Sequence, residues 1–208
     1  ILTCGKHFPG YSAASVDPHH EMPIIHKTEA EMEAWELRPF RETLTLMDSL
    51  MLAHAHFTCW DSERGDRWPA SLSTRVVRQL LREEMGFDRL LITDDLDMGA
   101  VLDLDFEPTV QQAVIAGNDQ VMICHRIELI EAAREHLKQV PEAILDESLA
   151  RVEAARAEFV EPVPANEAPW RIGEINEQIW QLRVEVLGRE RAQILSVENA
   201  CRSPVEVF

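Results

Sequence analysis

The chain has 208 residues, with 20 Lys+Arg against 37 Asp+Glu, giving a formal net charge of −17, and 46% of its residues are apolar. That apolar share excludes wholesale disorder. The acidity argues against a phosphate-backbone partner, so no nucleic acid is expected. No apolar run approaches the roughly 18 residues that a membrane span needs, and no signal peptide opens the sequence.

Residues 1–7 read as a short strand. Because a strand pattern begins at once and residue 1 is Ile, the chain is expected to start inside a longer polypeptide. A loop containing Pro and Gly follows to about residue 27. Thr28 with Glu31 forms a capping-box pattern and predicts a helix start, interrupted at Pro39 and resuming to about Leu46. Residues 49–54 read as a second strand and 56–70 as a polar loop. Val76, Val77, Leu80 and Leu81 have helical spacing up to Gly86, a C-cap signal. Residues 88–93 read as a third strand, 107–116 as a helix ending at Gly117, and 119–124 as a fourth strand. Helices are expected at about 126–138 and 142–159. The stretch 161–171 has the composition of a linker. Beyond it Ile172, Ile175, Ile179, Leu182 and Val186 predict one amphipathic helix of about 20 residues, either packed on the outside of the fold or serving as an oligomer contact.

Short apolar strands separated by helices predict a parallel sheet covered on both faces. Four β/α units fit an open doubly wound sheet or half of a (β/α)8 barrel, which as a whole needs roughly 250 residues. No glycine-rich phosphate loop is present. Cys4, Cys59, Cys124 and Cys201 are scattered, without a CxxC pair, and read as free thiols of a reducing compartment. The expected location is therefore cytoplasmic, unless an upstream signal exists.

In parallel α/β folds chemistry sits at the carboxyl ends of the strands. Strand one ends in Lys6-His7, and its loop carries Asp17, His19 and His20. Strand two ends in His54, with His56 beyond. Strand three leads to Asp94 and Asp95, with Asp97 further on, and strand four leads to Cys124-His125. Two chemistries fit this rim. One is a carboxylate nucleophile with a general acid/base, the layout of retaining glycoside cleavage. The other is a catalytic metal held by His54-x-His56 and an Asp.

Lys6-His7-Phe8-Pro9-Gly10, then Asp17-Pro18-His19 and Pro23, resemble the signature of glycoside hydrolase family 3, in particular its bacterial β-N-acetylhexosaminidase branch. In the same order, Glu36 to Phe40 resembles ELxPF and Ala53-His54 the AH that follows. Pro69-Ala70-Ser71 with Ser73 resembles PASxS, and Leu81-Arg82-Glu83 with Gly86-Phe87 resembles LRxxxGF. Thr93 to Leu96 with Met98 resembles [ST]DDLxM, and Ala116-Gly117-Asn118-Asp119 resembles AGxD. The resemblance covers about residues 1–158. It implies the last four units of a TIM barrel over 1–160, and composition and helical spacing add the linker at 161–171 and a helical tail at 172–208. The earlier half-barrel is expected in the full-length protein.

The resemblance further implies Asp94 as nucleophile, His19 as acid/base and Asp17 as its partner. Lys6, His7 and His54 would hold the terminal sugar. It implies a carbohydrate substrate, no metal or other cofactor, and cleavage of N-acetylglucosamine from peptidoglycan fragments. A phosphorylase using the same residues, or a non-catalytic remnant that binds sugar or protein, are the alternatives. Where the family usually has His-Gly after the first motif, this chain has Tyr11-Ser12, which is expected to alter the loop carrying His19.

Overall fold

A computed structural model describes residues 2–11, 13–60, 67–158 and 172–200. The chain divides into two compact units, Ile1–Glu158 and Phe159–Phe208. The expected linker at 161–171 lies outside the described residues.

In the first unit, β1 (Cys4–Phe8), β3 (Ser49–Leu52), β5 (Leu90–Asp95) and β6 (Gln120–Met122) form a four-stranded sheet in that order. All three pairings are parallel. Each connection between neighbours carries helix, as a run of successive β/α units requires. The register shifts between Gly5 and Phe8 on β1 and between Ile92 and Asp95 on β5, so both irregularities fall near the carboxyl ends of their strands. A second sheet pairs β2 (Ile24–Ile25) with β4 (His56–Phe57) in parallel. It corrects the reading of these stretches as loop.

The helix start at Thr28 has both arms of the capping box: the Thr28 hydroxyl accepts from the Glu31 N–H, and the Glu31 carboxylate accepts from the Thr28 N–H at 2.8 Å. Pro39 does not interrupt the helix. Instead α1 (Glu29–Glu31) passes into a π-helical stretch, Met32–Glu36, and then into α2 (Leu37–Thr43), which contains Pro39. A widened turn just ahead of a proline relieves the clash of its ring with the preceding turn. The segment Arg75–Glu84, also wound as a π-helix, buries Val76, Val77, Leu80 and Leu81, the four positions its spacing marked.

After β5 come α3 (Gly99–Leu102) and α4 (Phe106–Ala116). Gly117 ends α4 with φ 118°, a left-handed cap open to glycine. After β6 come α5 (Leu129–Leu137) and α6 (Glu142–Ala157). Phe8, Leu50, Leu52, Leu81, Leu91 and Ala116 belong to one buried cluster between the sheet and its helices. Leu96, Val101, Val110 and Ala133 form another, under α3 to α5.

Asp119 binds the amino ends of these units together. Its carboxylate is buried and accepts from the Leu91 N–H (2.7 Å), from Arg82 Nη2 (2.7 Å) and from Arg151 Nε (2.7 Å). One acid thus links a strand, the Arg75–Glu84 helix and α6. Next to it, Asn118 donates to the carbonyls of Ser71 and Ala113 at 2.7 and 2.6 Å.

In the second unit the predicted single helix is two, α7 (Ile172–Leu187) and α8 (Arg189–Ala200), parted at Gly188 with φ 77°. Ile179, Leu182 and Val186 of α7 are exposed. No helix among the described residues is long and apolar enough to cross a membrane.

Candidate active site

The pleat of β5 alternates in burial along Leu90–Asp95, so Leu91, Thr93 and Asp95 lie buried on one face while Leu90, Ile92 and Asp94 share the other. Asp94 therefore projects from the strand's end on the face away from Asp95. Its Oδ1 accepts from the Asp95 N–H at 2.9 Å, which fixes the carboxylate's orientation. Its Oδ2 lies 3.5 Å from His7 Nε2, and the two side chains are only 14% and 28% exposed.

The His7 ring sits lower than an ordinary imidazole in its affinity for a proton. Burial is the main cause, and the Asp94 charge opposes it, while Lys6 and His19 add to it. Lys6 is exposed and shares with His7 and Tyr11 an open cavity of about 550 Å³ walled by Trp35, Pro39 and Phe40. A second cavity, about 370 Å³, lies at the opposite ends of the strands beside Ser49 and Leu90, away from these groups.

In the loop after β1, Asp17 and His19 form a dyad. His19 Nδ1 stands 2.6 Å from Asp17 Oδ1, and the His19 backbone N–H donates to the same oxygen at 3.0 Å. The amides of His20 and Glu21 donate to the Asp17 carbonyl at 3.0 and 3.2 Å, closing the turn. These bonds, the His19 N–H first, hold the Asp17 carboxyl below the usual carboxylate range.

His54, which the resemblance places with the sugar-binding residues, is closed off from the rim. It is fully buried, with Nδ1 2.7 Å from the Ser71 hydroxyl and Nε2 3.1 Å from the Asp95 carbonyl. A neutral ring satisfies both partners, with Nε2–H donating to the carbonyl and Nδ1 accepting from the hydroxyl. Burial accordingly pushes its proton affinity down. His56 is likewise buried, its Nδ1 3.1 Å from the Trp68 carbonyl. The His54-x-His56 pair is thus spent on protein contacts and makes no chelate.

Tyr11, which the sequence showed only as a departure from a motif, ties the loop to this base. Its hydroxyl accepts from the His54 N–H at 2.8 Å, and its ring stands edge-on to His7 at 5.3 Å.

Asp95, Asp97 and His125 bring ligand atoms within 4.8 Å of one another. Each is engaged. Asp95 accepts from the amides of Asp97 and Cys124 and from His125 Nδ1 at 2.9 Å. Asp97 accepts from the amides of His125 and Arg126 and from Arg126 Nε at 2.6 Å. The cluster laces the loop after β5 to the loop after β6, so its acids orient loops. Cys4, Cys59 and Cys124 are free thiols.

A parallel β/α sheet with acids and imidazoles gathered at the carboxyl ends of its strands has the layout of one sector of a β/α barrel. Residues 1–155 match the family model described as glycosyl hydrolase family 3 N terminal domain. The chain belongs to glycosyl hydrolase family 3. It is 35% identical over 146 residues to a beta-hexosaminidase of Bordetella avium, covering 69% of this chain and 40% of that protein. A beta-hexosaminidase of Vibrio cholerae is 37% identical over 145 residues, covering 68% and 40%. Among solved structures, a family 3 beta-N-acetylglucosaminidase from a Paenibacillus species superposes with TM-score 0.71 at 30% identity, covering 79% of this chain and 34% of that one. The chain thus spans less than half the length of these relatives.

Proposed function

We propose that the protein carrying this chain is a retaining exo-β-N-acetylglucosaminidase. The observation that carries the reading is a carboxylate, Asp94, at the end of β5 facing His7, with a hydrogen-bonded Asp17–His19 pair in the loop after β1. The names of the relatives, beta-hexosaminidase and beta-N-acetylglucosaminidase, favour an amino sugar over glucose as substrate. Peptidoglycan fragments, which carry that sugar, are the substrate class we assign.

In this reading Asp94 attacks the anomeric carbon while His19 gives its proton to the departing glycosidic oxygen. The aglycone leaves as an alcohol, and the sugar remains as an ester on Asp94. His19, now neutral, takes a proton from water as that water attacks the same carbon, and Asp94 is released as a carboxylate. Asp17 remains anionic and holds the His19 ring through Nδ1 in the first step. Lys6 and His7 hold sugar hydroxyls. His54, out of reach of substrate, holds the floor beneath them.

The test is hydrolysis of an aryl N-acetyl-β-glucosaminide beside the matching β-glucoside, with Asp94→Asn as control. Turnover of the amino sugar alone, abolished in the variant, is the expected result. Wild-type-like activity in the variant would sink the nucleophile assignment. Turnover that requires phosphate and releases a sugar 1-phosphate would replace hydrolysis by phosphorolysis. Binding of sugar by folded protein without turnover would leave a binding module.

A further inference from the structure

The turn that carries Asp17 and His19 is seated on the backbone just past the nucleophile's strand. The Gly99 N–H donates to the His19 carbonyl at 3.0 Å and the Ala100 N–H to the Pro18 carbonyl at 3.0 Å. A Cβ at Gly99 would lie 2.4 Å from the His20 carbonyl oxygen, 2.5 Å from its carbon and 2.6 Å from the His19 oxygen. All three are backbone atoms, so no rotamer change makes room. Gly99 is not in a left-handed conformation. Its requirement is the close approach of another chain segment.

The platform under this contact is stiff. Between Asp94 and Gly99 run Asp95 and Asp97, both laced to residues 124–126 by the hydrogen bonds described above. The Met98 N–H donates to the Asp95 carbonyl at 3.1 Å. The turn opposite is closed on itself by four hydrogen bonds to Asp17, so it can move only as a unit.

We propose that Gly99 is a positioning residue that sets the separation between His19 and Asp94. The inference rests on the acid/base reading above. Retaining glycosidases that use two carboxyl groups hold them roughly 5–5.5 Å apart, and an Asp–His pair acting on the same bond needs its separation fixed as well. Without the Gly99 contact that separation would depend on the loop running from Pro9. With it, both groups refer to one segment, residues 94–100. Relieving a 2.4 Å contact to an ordinary 3.4 Å one displaces the turn by about 1 Å, a misplacement that can cost on the order of 100-fold in rate.

The test uses Gly99→Ala, His19→Ala and the double variant in the full polypeptide that carries this chain. Peptide-resolved hydrogen exchange should show residues 99–100, whose amides donate to the turn's carbonyls, losing protection in Gly99→Ala while β3 and β5 keep theirs. With an N-acetylglucosaminide of poor leaving group the rate should fall on the order of 10–100-fold, and with an activated aryl glycoside much less. Azide should restore part of the activated-substrate rate, as it should for His19→Ala, because it replaces a water that needs a base. The double variant should be no worse than His19→Ala alone. Unchanged exchange, or equal losses on both substrates that add to those of His19→Ala, overturns the proposal. If Gly99→Ala does not fold, the unmodified protein still decides: Gly99 and Ala100 amides exchanging at the rate of an unfolded chain overturn it. A freed turn in Gly99→Ala beside wild-type activity in His19→Ala overturns the acid/base reading, and the positioning role with it, but leaves the contact standing.

Discussion

His19 and Asp17 meet twice at a single oxygen: the imidazole Nδ1 at 2.6 Å and the His19 backbone N–H at 3.0 Å both address Asp17 Oδ1. A side chain two residues away is thus oriented by a turn rather than by a core. Asp17→Asn keeps the shape and removes the charge. We expect kcat on substrates with poor leaving groups to fall about 10²-fold or more, in the range a positioned acid supplies. The Asp17 carboxyl is held below the usual range, so its charge persists through mildly acidic pH and is lost only as pH falls through that lowered value. A pH profile of both proteins checks the direction.

His54 predicts how the fold responds to acid. Burial lowers its proton affinity from an ordinary value near 6.5, so the unfolded chain binds a proton that the folded chain refuses. The contribution is complete above about pH 6.5 and shrinks as pH falls below it. Urea midpoints should therefore fall from pH 7.5 to 5.5. In His54→Gln, less stable at pH 7.5, that fall should be shallower. A parallel decline in both proteins would remove His54 as the cause.

Tyr11→Phe leaves the His54 amide without its acceptor in a partly buried place. We expect a loss of about 1–3 kcal/mol, the usual consequence of orphaning such a donor. Denaturant melts measure it. A loss of binding for sugar with no loss of stability would assign Tyr11 to the substrate instead.

Asp119→Ala removes the acceptor of Arg82, Arg151 and the Leu91 amide together. The Arg82 side chain is 11% exposed, so its charge would remain buried without its carboxylate. A destabilisation of about 3–5 kcal/mol is expected. Arg82→Met in the same background should recover part of it, because the stranded charge goes too. Failure of that second change to help would point to the lost amide partner alone.

The four main strands and the Gly117 cap were legible because apolar runs, period and glycine all agree there. The β2–β4 sheet was not, since two-residue strands show no period. Pro39 misled because the rule against proline in helices assumes an α-helical turn ahead of it, and here that turn is π-helical. Gly188 stood in plain view, yet a glycine inside a helical pattern reads equally as a tolerated interruption. In the site, the motif order delivered Asp94, Asp17 and His19 to the carboxyl-end rim. The burial of His54 was not legible, because a strand-end position does not reveal whether a ring faces the opening or the strand beside it. The partners that bury it, Ser71 and the Asp95 carbonyl, are contributed by distant segments.

The alternation along β5 gives two neighbouring acids separate employments, Asp94 toward His7 and Asp95 toward His125. A pleat has a period of two, so a slip of one residue would exchange them. The carboxylate now locked among loop amides would face the opening, and the one that faces the opening would be locked. Single-residue insertions between Leu90 and Thr93 should therefore abolish chemistry outright, even where the sheet absorbs them, whereas two-residue changes would restore the facing. Evolution of this strand is confined to even steps.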